Sequence, residues 1–364
     1  MLAALTACAL LAAAPAARAL TLTKYGTAPV IGPSWIPGSQ DYCGARDVGM
    51  ALGSDGLLGL VYSGYNECNG TQCGPTGCCQ LMFSTLPPPP RDGSRGPNAT
   101  RLGTVLPPPG PGYYNLTTDA GLLFDAASDT WHMWVTEMPT GFKGSHRQIG
   151  HLTAPGAPGV PDAAAWTYES TAVFDPLPAW SPYAPDEPRV YPATGGGWIM
   201  YLGAQGNNNC GSGSVTPCDA WCLGYATASS LNGPWSPSDG CIIGSGNSTL
   251  YQAEAFSAFT AGGVFYVLTN RLGTQGFRGA DWLKNVVGDL WAAPSQTGPF
   301  TLAQASFLPR GDPGAWDDGY VYVTALAGGY DLDDARVLYG AYMGGQGGLP
   351  GAGPISVGLF TLTL

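Results

Sequence analysis

The amino-acid sequence predicts an all-β chain built from five repeats of one four-stranded unit, and three observations carry that prediction. First, 55 glycines and 33 prolines in 364 residues exceed the usual shares of about 7% and 5%, and they lie between short apolar runs without a G-X-Y period. Second, a unit of carboxylate, strand, turn and apolar strand recurs. Its matched second-strand starts, Trp131, Trp198 and Val264, stand roughly 66 residues apart, and five such units fill the chain. Third, Gly224–Trp235 and Leu290–Phe300 share the outline A-x-x-S-x-x-x-G-P-aromatic, with the Ala displaced by one, as if one strand and its turn occurred twice. A four-stranded unit that buries its faces only against its neighbours is a propeller blade, so the expected fold is a five-bladed β-propeller. A β-sandwich pair is the alternative and leaves the period without a cause.

Taken in order, Leu20 to Val30 is strand-like, and Ile31 to Gln40 is a Gly/Pro/Ser loop carrying Trp35. The first unit has strands at Arg46–Leu52 and Leu57–Ser63 around the turn Gly53–Gly56, with Cys79–Leu86 and Thr100–Leu106 outside them. Pro87–Pro90 and Pro107–Pro109 are stiff connectors. The second unit runs Asp119–Phe124, Trp131–Thr136, Gln148–Leu152 and Trp166–Phe174. In the third, Pro182, Pro185 and Pro188 forbid a helix and leave Asp186 and Glu187 at a strand entrance. Three glycines at 195–197 then turn the chain into Trp198–Leu202, followed by Cys222–Ala228 and Trp235–Ile243. The fourth unit has Glu254–Phe259, Val264–Thr269 and Asp289–Ala293; the fifth has Tyr320–Ala325, Ala335–Met343 and Ile355–Leu364.

Fourteen basic and 25 acidic residues give a formal charge of −11, which repels phosphate backbones and argues against nucleic-acid partners. Residues 1–19 combine an apolar run with the small-x-small site Ala17-Arg18-Ala19 and read as a cleaved secretory signal; an uncleaved apolar anchor is the alternative. The expectation is a secreted protein whose mature chain, residues 20–364, is a single domain and holds no membrane segment. Nine cysteines remain after the signal, in the clusters Cys43, Cys68, Cys73, Cys78, Cys79 and Cys210, Cys218, Cys222, Cys241, as disulfide-pinned loops in an oxidising compartment require. The second cluster is expected to pair within itself, and the odd count leaves one thiol free or paired between chains. The spacing of Cys68, Cys73, Cys78 and Cys79 fits no common zinc knuckle, so no metal ligand set is assigned. Sequons at Asn69, Asn98, Asn115 and Asn247 agree with export.

Each unit opens with an acid: Asp47, Asp119, Asp186 or Glu187, Glu254, and Asp317 or Asp318. Propeller inner strands begin at the mouth of the central channel, so these acids are expected to face one cavity. Crowded carboxyls push their pKa values apart, which lets one serve as acid beside an ionised base, and glycosidic-bond cleavage needs such a pair. The bland reading has them bind turns between blades or hold a calcium ion on the axis.

These residues resemble the motifs of the five-bladed propeller glycosidases of the arabinanase, arabinofuranosidase and β-xylosidase type, glycoside hydrolase family 43. Arg46-Asp47 is similar to its first-blade R-D-P, Glu187-Pro188-Arg189-Val190 to its third-blade D-P-R-V, and Glu254-Ala255-Phe256 to its fourth-blade E-[GA]-P. Ser295–Phe300 is similar to its S-x-x-G-P-F. The resemblance implies Asp47 as general base, Glu187 with Asp186 as the acids that tune and orient, and Glu254 as general acid. It implies inversion on arabinose- or xylose-containing polysaccharides or oligosaccharides, no required cofactor, and tolerance of an axial calcium. The chain departs from the pattern in lacking proline after Asp47 and after Ala255, and in its doubled Asp186-Glu187. Trp35, Tyr183, Trp221 and Trp316 are the candidate sugar-stacking aromatics, with Tyr42, Tyr65 and Trp180 behind them, and Arg278 is a candidate for a sugar hydroxyl. The expected state is a monomer. Two other readings stay open: a carbohydrate-binding propeller without catalysis, and an invertase-like fructan hydrolase that retains configuration.

Overall fold

The computed structural model describes residues 19–39, 41–65, 79–90, 98–105, 116–138, 147–157, 159–170, 173–174, 177–181, 185–204, 222–243, 252–272, 286–327, 330–346 and 355–364. After β1 (Thr21–Tyr25) come four blades in chain order. The first is β2 (Gly44–Leu52), β3 (Leu58–Tyr65), β4 (Cys79–Leu86) and β5 (Thr100–Thr104). The second is β6 (Leu116–Asp125), β7 (Thr130–Met138), β8 (Gln148–Pro155) and β9 (Thr167–Ser170). The third is β10 (Pro185–Pro192), β11 (Trp198–Ala204), β12 (Cys222–Ala228) and β13 (Ser236–Pro237), and the fourth is β14 (Gln252–Ala261), β15 (Val264–Leu272), β16 (Val287–Ala293) and β17 (Thr301–Leu308). The fifth blade is β18 (Tyr320–Ala327), β19 (Val337–Gly345) and β20 (Ile355–Thr363), and its outermost strand is β1, paired antiparallel with β20 from Thr21↔Thr363 to Tyr25↔Leu359.

The ring closes. Inner strand β2 packs on β6, β6 on β10, β10 on β14, β14 on β18, and β18 back on β2. Each gap between blades holds its own apolar cluster, because a sheet covered on both sides needs both faces of its strands apolar. Blades one and two share Val61, Phe83, Trp131 and Trp166; two and three share Trp134, Met200 and Trp235. Three and four share Tyr201, Phe256 and Val267, four and five Phe259, Leu268 and Phe360, and five and one Met50, Tyr62 and Val357. Burying each such side chain contributes about 1.5–3 kcal/mol, and the second strands supply several of the largest, Trp131, Trp134 and Tyr201 among them.

Three details differ from the sequence reading. The fourth blade has an outer strand, β17, that periodicity did not reveal because its first six residues are all solvent-exposed. The third blade's outer strand is two residues long, since Pro234 and Pro237 limit ladder pairing. The N-terminal strand belongs to the last blade. Cys222 and Cys241 are disulfide-bonded, as expected for the second cluster, and Cys43 is also in a disulfide. Cys210, Cys218 and Cys68 to Cys78 lie outside the described residues, as do residues 1–18 and the sequons at Asn69, Asn115 and Asn247; Asn98 is exposed. No helix among the described residues is long and apolar enough to cross a membrane.

Candidate active site at the channel mouth

Every inner strand is interrupted near its start, where its register to the second strand slips. The slips fall between Arg46 and Gly49, Thr118 and Gly121, Asp186 and Arg189, Glu254 and Phe256, and Tyr322 and Thr324. In blades one to three the first residue inside the slip is an acid with positive φ: Asp47 at 53°, Asp119 at 51° and Glu187 at 53°. Aspartate tolerates this left-handed region, whereas glutamate pays a larger steric cost, so the conformation at 187 is imposed by its surroundings. Two residues after the acid stand Gly49 and Gly121. A Cβ at Gly49 would lie 2.2 Å from the Ala120 carbonyl oxygen, and one at Gly121 would lie 1.9 Å from that of Pro188. The glycines therefore let the first three inner strands touch backbone to backbone.

In the third blade the matching position is Arg189, and its guanidinium joins all three strands. Nη1 donates to the carbonyls of Ala120 and Pro188 at 3.0 and 3.1 Å, and Nη2 to that of Val48 at 3.1 Å. Each acceptor is the carbonyl of the residue that follows one of the three acids.

Asp47 is buried and forms an ion pair with its neighbour, Arg46 Nε to Oδ2 at 2.6 Å. Arg46 lies 4.6 Å from the centre of the Tyr65 ring. Burial raises the Asp47 carboxyl well above the usual carboxylate range; Arg46 and, more weakly, Arg189 oppose the rise, and Asp119 adds to it. In the doubled acid, Glu187 takes the place that Asp47 holds in its blade. Its N–H donates to Thr136 Oγ1 of blade two at 3.1 Å and to Asp186 Oδ1 at 3.0 Å. Asp186 is itself buried and paired with Arg147. Glu254 is the last residue before the slip of β14, opposite Asn270 of β15. Asn270 is fully buried, and its amide has no hydrogen-bond partner among the described residues.

Two expectations are corrected. Asp317 does not join the acids of the inner strands: Lys24 of β1 pairs with it at 2.7 Å and the Tyr342 hydroxyl donates to it at 2.8 Å, which ties the N-terminal strand to blade five. The residue inside the slip of β18 is Val323, so the acidic series stops at blade four. Trp316 stacks on Tyr342 with ring centres 5.6 Å apart and packs on the apolar cluster of blades four and five, which makes it a packing residue. Trp180 likewise packs within blade three, donating to the Ser238 carbonyl. Trp35 is different: it is 57% exposed on the loop that leads into β2 and meets Tyr42 edge-on at 5.5 Å. Tyr183, Trp221 and Arg278 lie outside the described residues. Sequence reasoning gave no role to Arg189, Thr136 or Arg147. The signal for Arg189 was present in the repeated acid-x-Gly of Asp47-Val48-Gly49 and Asp119-Ala120-Gly121, which becomes Glu187-Pro188-Arg189.

An axial calcium ion would use channel carbonyls of this kind, but those of Val48, Ala120 and Pro188 already accept from a cation, so the residues here do not fit one. Among the described residues no group of three or more His, Cys, Asp or Glu side chains could hold a metal ion.

No protein-family model matches the sequence, and no curated protein is similar to it. Solved structures are. The catalytic domain of a Coprinopsis cinerea family 62 α-L-arabinofuranosidase superposes with a TM-score of 0.60 at 17% identity, covering 94% of this chain and 96% of that one. A Podospora anserina α-L-arabinofuranosidase, solved with cellotriose, gives 0.59 at 16% identity over 94% and 98%. A family 43 enzyme from Xanthomonas citri gives 0.54 at 13% over 91% and 88%. The chain has the fold of these glycoside hydrolases. At the starts of its inner strands this chain carries Asp47, Asp119, Glu187 and Glu254.

Proposed function

We propose that this protein is a secreted glycoside hydrolase that cleaves arabinose- or xylose-containing polysaccharides by acid–base catalysis with inversion. One observation carries the reading: acids from successive blades occupy equivalent slipped positions at the start of the inner strands, on a fold shared with α-L-arabinofuranosidases and a family 43 enzyme. Asp47 is the general base that activates water on one face of the sugar. Glu254 is the general acid that protonates the leaving oxygen, and Glu187, held by Thr136 and Asp186, tunes and orients it. Trp35, exposed beside the start of β2, offers a flat apolar face for a sugar ring. The Cys222–Cys241 disulfide supports an extracellular location.

The test is a screen of purified protein against arabinan, arabinoxylan, xylan, fructan and aryl glycosides, with the anomer of the first product followed by NMR. Release of arabinose or xylose with inverted configuration is expected. Retained configuration on fructan would move the reading to an invertase-like hydrolase, and binding without turnover would move it to a carbohydrate-binding propeller.

A further inference from the structure

The loop that leads into β2 carries an apolar tip that no core covers. Among the described residues four large apolar side chains are exposed, and two of them are neighbours here, Trp35 at 57% and Ile36 at 61%. Pro37 and Gly38 beside them are exposed as well. Singly exposed apolar residues are ordinary, but an adjacent group marks a surface that meets something. Trp35 also has a φ of 51°, a left-handed conformation that strains a bulky residue and persists only where its surroundings impose it.

Those surroundings centre on Asp41. It is fully buried, and its carboxylate accepts from Ser39 Oγ of the loop, from the Tyr62 hydroxyl of β3 at 3.1 Å and from Arg101 Nε of β5 at 2.5 Å. Burial alone would raise this carboxyl, yet the bonds from Ser39 and Arg101 and the charge of Arg101 hold it below its ordinary range. Arg101 also donates to the Gly32 carbonyl at 2.6 Å. The N–H groups of Ser34, Ser39 and Tyr42 donate to the carbonyls of Asp41, Ile36 and Ser39, and the Tyr42 ring packs perpendicular to that of Trp35. The tip is thus tied to blade one from both of its sides.

We propose that Trp35 and Ile36 form a fixed platform for a neutral glycan chain beside the candidate active site, and that Asp41 is the positioning residue that holds it. The loop runs straight into β2, whose Asp47 follows Tyr42 by five residues. From Ile31 to Gln40 no residue is charged, which suits an uncharged sugar chain and disfavours a phosphate-bearing or anionic partner. A flat indole with an aliphatic neighbour matches the C–H face of a sugar ring. Because the tip is ordered before the glycan arrives, binding carries no cost for ordering it. The identity of the glycan rests on the glycosidase reading; the anchoring by Asp41 does not.

The experiment combines calorimetric binding of an arabinoxylan oligosaccharide to the full chain with hydrogen exchange at the amides of Ser34 and Tyr42. Both are measured in an Asp47→Asn parent, which suppresses turnover, and in that parent with Trp35→Ala, with Asp41→Asn and with both. Asp41→Asn sets an amide against the Arg101 donor, and circular dichroism checks the fold. Ser39→Ala, which keeps the carboxylate and removes one bond, repeats the test if Asp41→Asn does not fold. Trp35→Ala and Asp41→Asn should each raise Kd by about three- to tenfold. The double variant should bind no more weakly than Trp35→Ala, since a platform already removed cannot be misplaced. Exchange should quicken in Asp41→Asn and stay slow in Trp35→Ala. Losses that add in the double variant, or exchange unchanged by Asp41→Asn, overturn the proposal and leave the glycosidase reading standing. Binding with the expected pattern from a wild type that cleaves no glycan supports the platform and removes that reading. A parent that binds no glycan overturns the platform, as does self-association that Trp35→Ala abolishes.

Discussion

Blades one to three and blades four and five solve the same geometric problem in different ways. In the first three, each slip leaves two residues of the inner strand unpaired and sets an acid in the left-handed region; β2 and β6 bring their backbones against the next inner strand, and Arg189 is bonded to all three. In the last two the slip skips one residue, Ala255 or Val323, and the following positions are Phe256 and Thr324. Phe256 fills the gap to blade three as an ordinary core residue. The difference teaches that a pseudo-symmetric ring need not be uniformly functional. One arc is organised by polar contacts among backbones and acids, and the other by apolar packing with a single acid, Glu254, at its edge.

Substitutions in the two arcs test that contrast. The largest effect is expected at the acids. Asp47→Asn in the first arc should lower kcat by roughly 10²–10⁴-fold on every cleavable substrate, as loss of a general base does. Glu254→Gln in the second should cost as much on natural polysaccharide and far less on aryl glycosides with good leaving groups. Steady-state kinetics on both substrate kinds checks this, and equal losses on both would erase the division of labour between arcs.

Arg189→Leu should come next. It keeps bulk and leaves three carbonyls without their donor, so denaturant unfolding should show a loss of about 3–5 kcal/mol, the size associated with breaking a buried charged contact. Phe256→Ala should cost about 3–5 kcal/mol as a plain cavity. The two are distinguished by activity per folded molecule, which Arg189→Leu should reduce further.

A smaller, pH-dependent effect is expected at Glu137, a second buried acid of blade two that lies outside the Arg189 cluster. It is 1% exposed. Burial pushes it up to about 8, with Tyr168 pulling weakly the other way. The fold therefore holds Glu137 protonated at neutral pH, while the unfolded chain ionises it near 4.5. Its contribution to stability is full below about 4.5 and is lost as the pH rises to about 8, on the order of a few kcal/mol. Glu137→Gln should remove this loss, so the variant should gain stability over wild type from pH 5 to pH 8 in thermal unfolding. Asp47, raised by burial in the same direction, stays in both proteins, so the difference isolates Glu137.

The smallest effect is expected at the rim. Trp35→Ala should leave the melting temperature unchanged, since the ring is mostly exposed, and raise KM for oligosaccharides by up to about tenfold, the equivalent of 1.4 kcal/mol. An unchanged KM would remove Trp35 from the sugar path.

The sequence made the ring legible because second strands buried on both faces must be apolar throughout, and Trp131–Thr136, Trp198–Leu202 and Val264–Thr269 repeat that signature at one interval. The place of Asp47, Glu187 and Glu254 in the strands ahead of those was legible too. Asp317 was misread for a physical reason: its partners, Lys24 and Tyr342, are distant in sequence, and only the fold brings them to it. The choice between Asp186 and Glu187 depended on a slip in strand register, which changes the facing of a side chain without changing composition. Strand β17 escaped notice because exposure on both faces leaves no periodicity to detect.

The pairing of Thr21 with Thr363 also governs how the molecule is made. A ribosome delivers β1 first and β20 last, so the N-terminal strand waits with its hydrogen-bonding edge open while four blades assemble. Closing so long a loop has a chain-entropy cost that grows only slowly with length, but contacts of such high sequence separation slow folding. The order is negotiable, since both ends of the described chain meet on one sheet. Moving residues 19–25 to follow Leu364 through a short linker would make blade five contiguous, and that permutant should reach the same ring sooner during refolding.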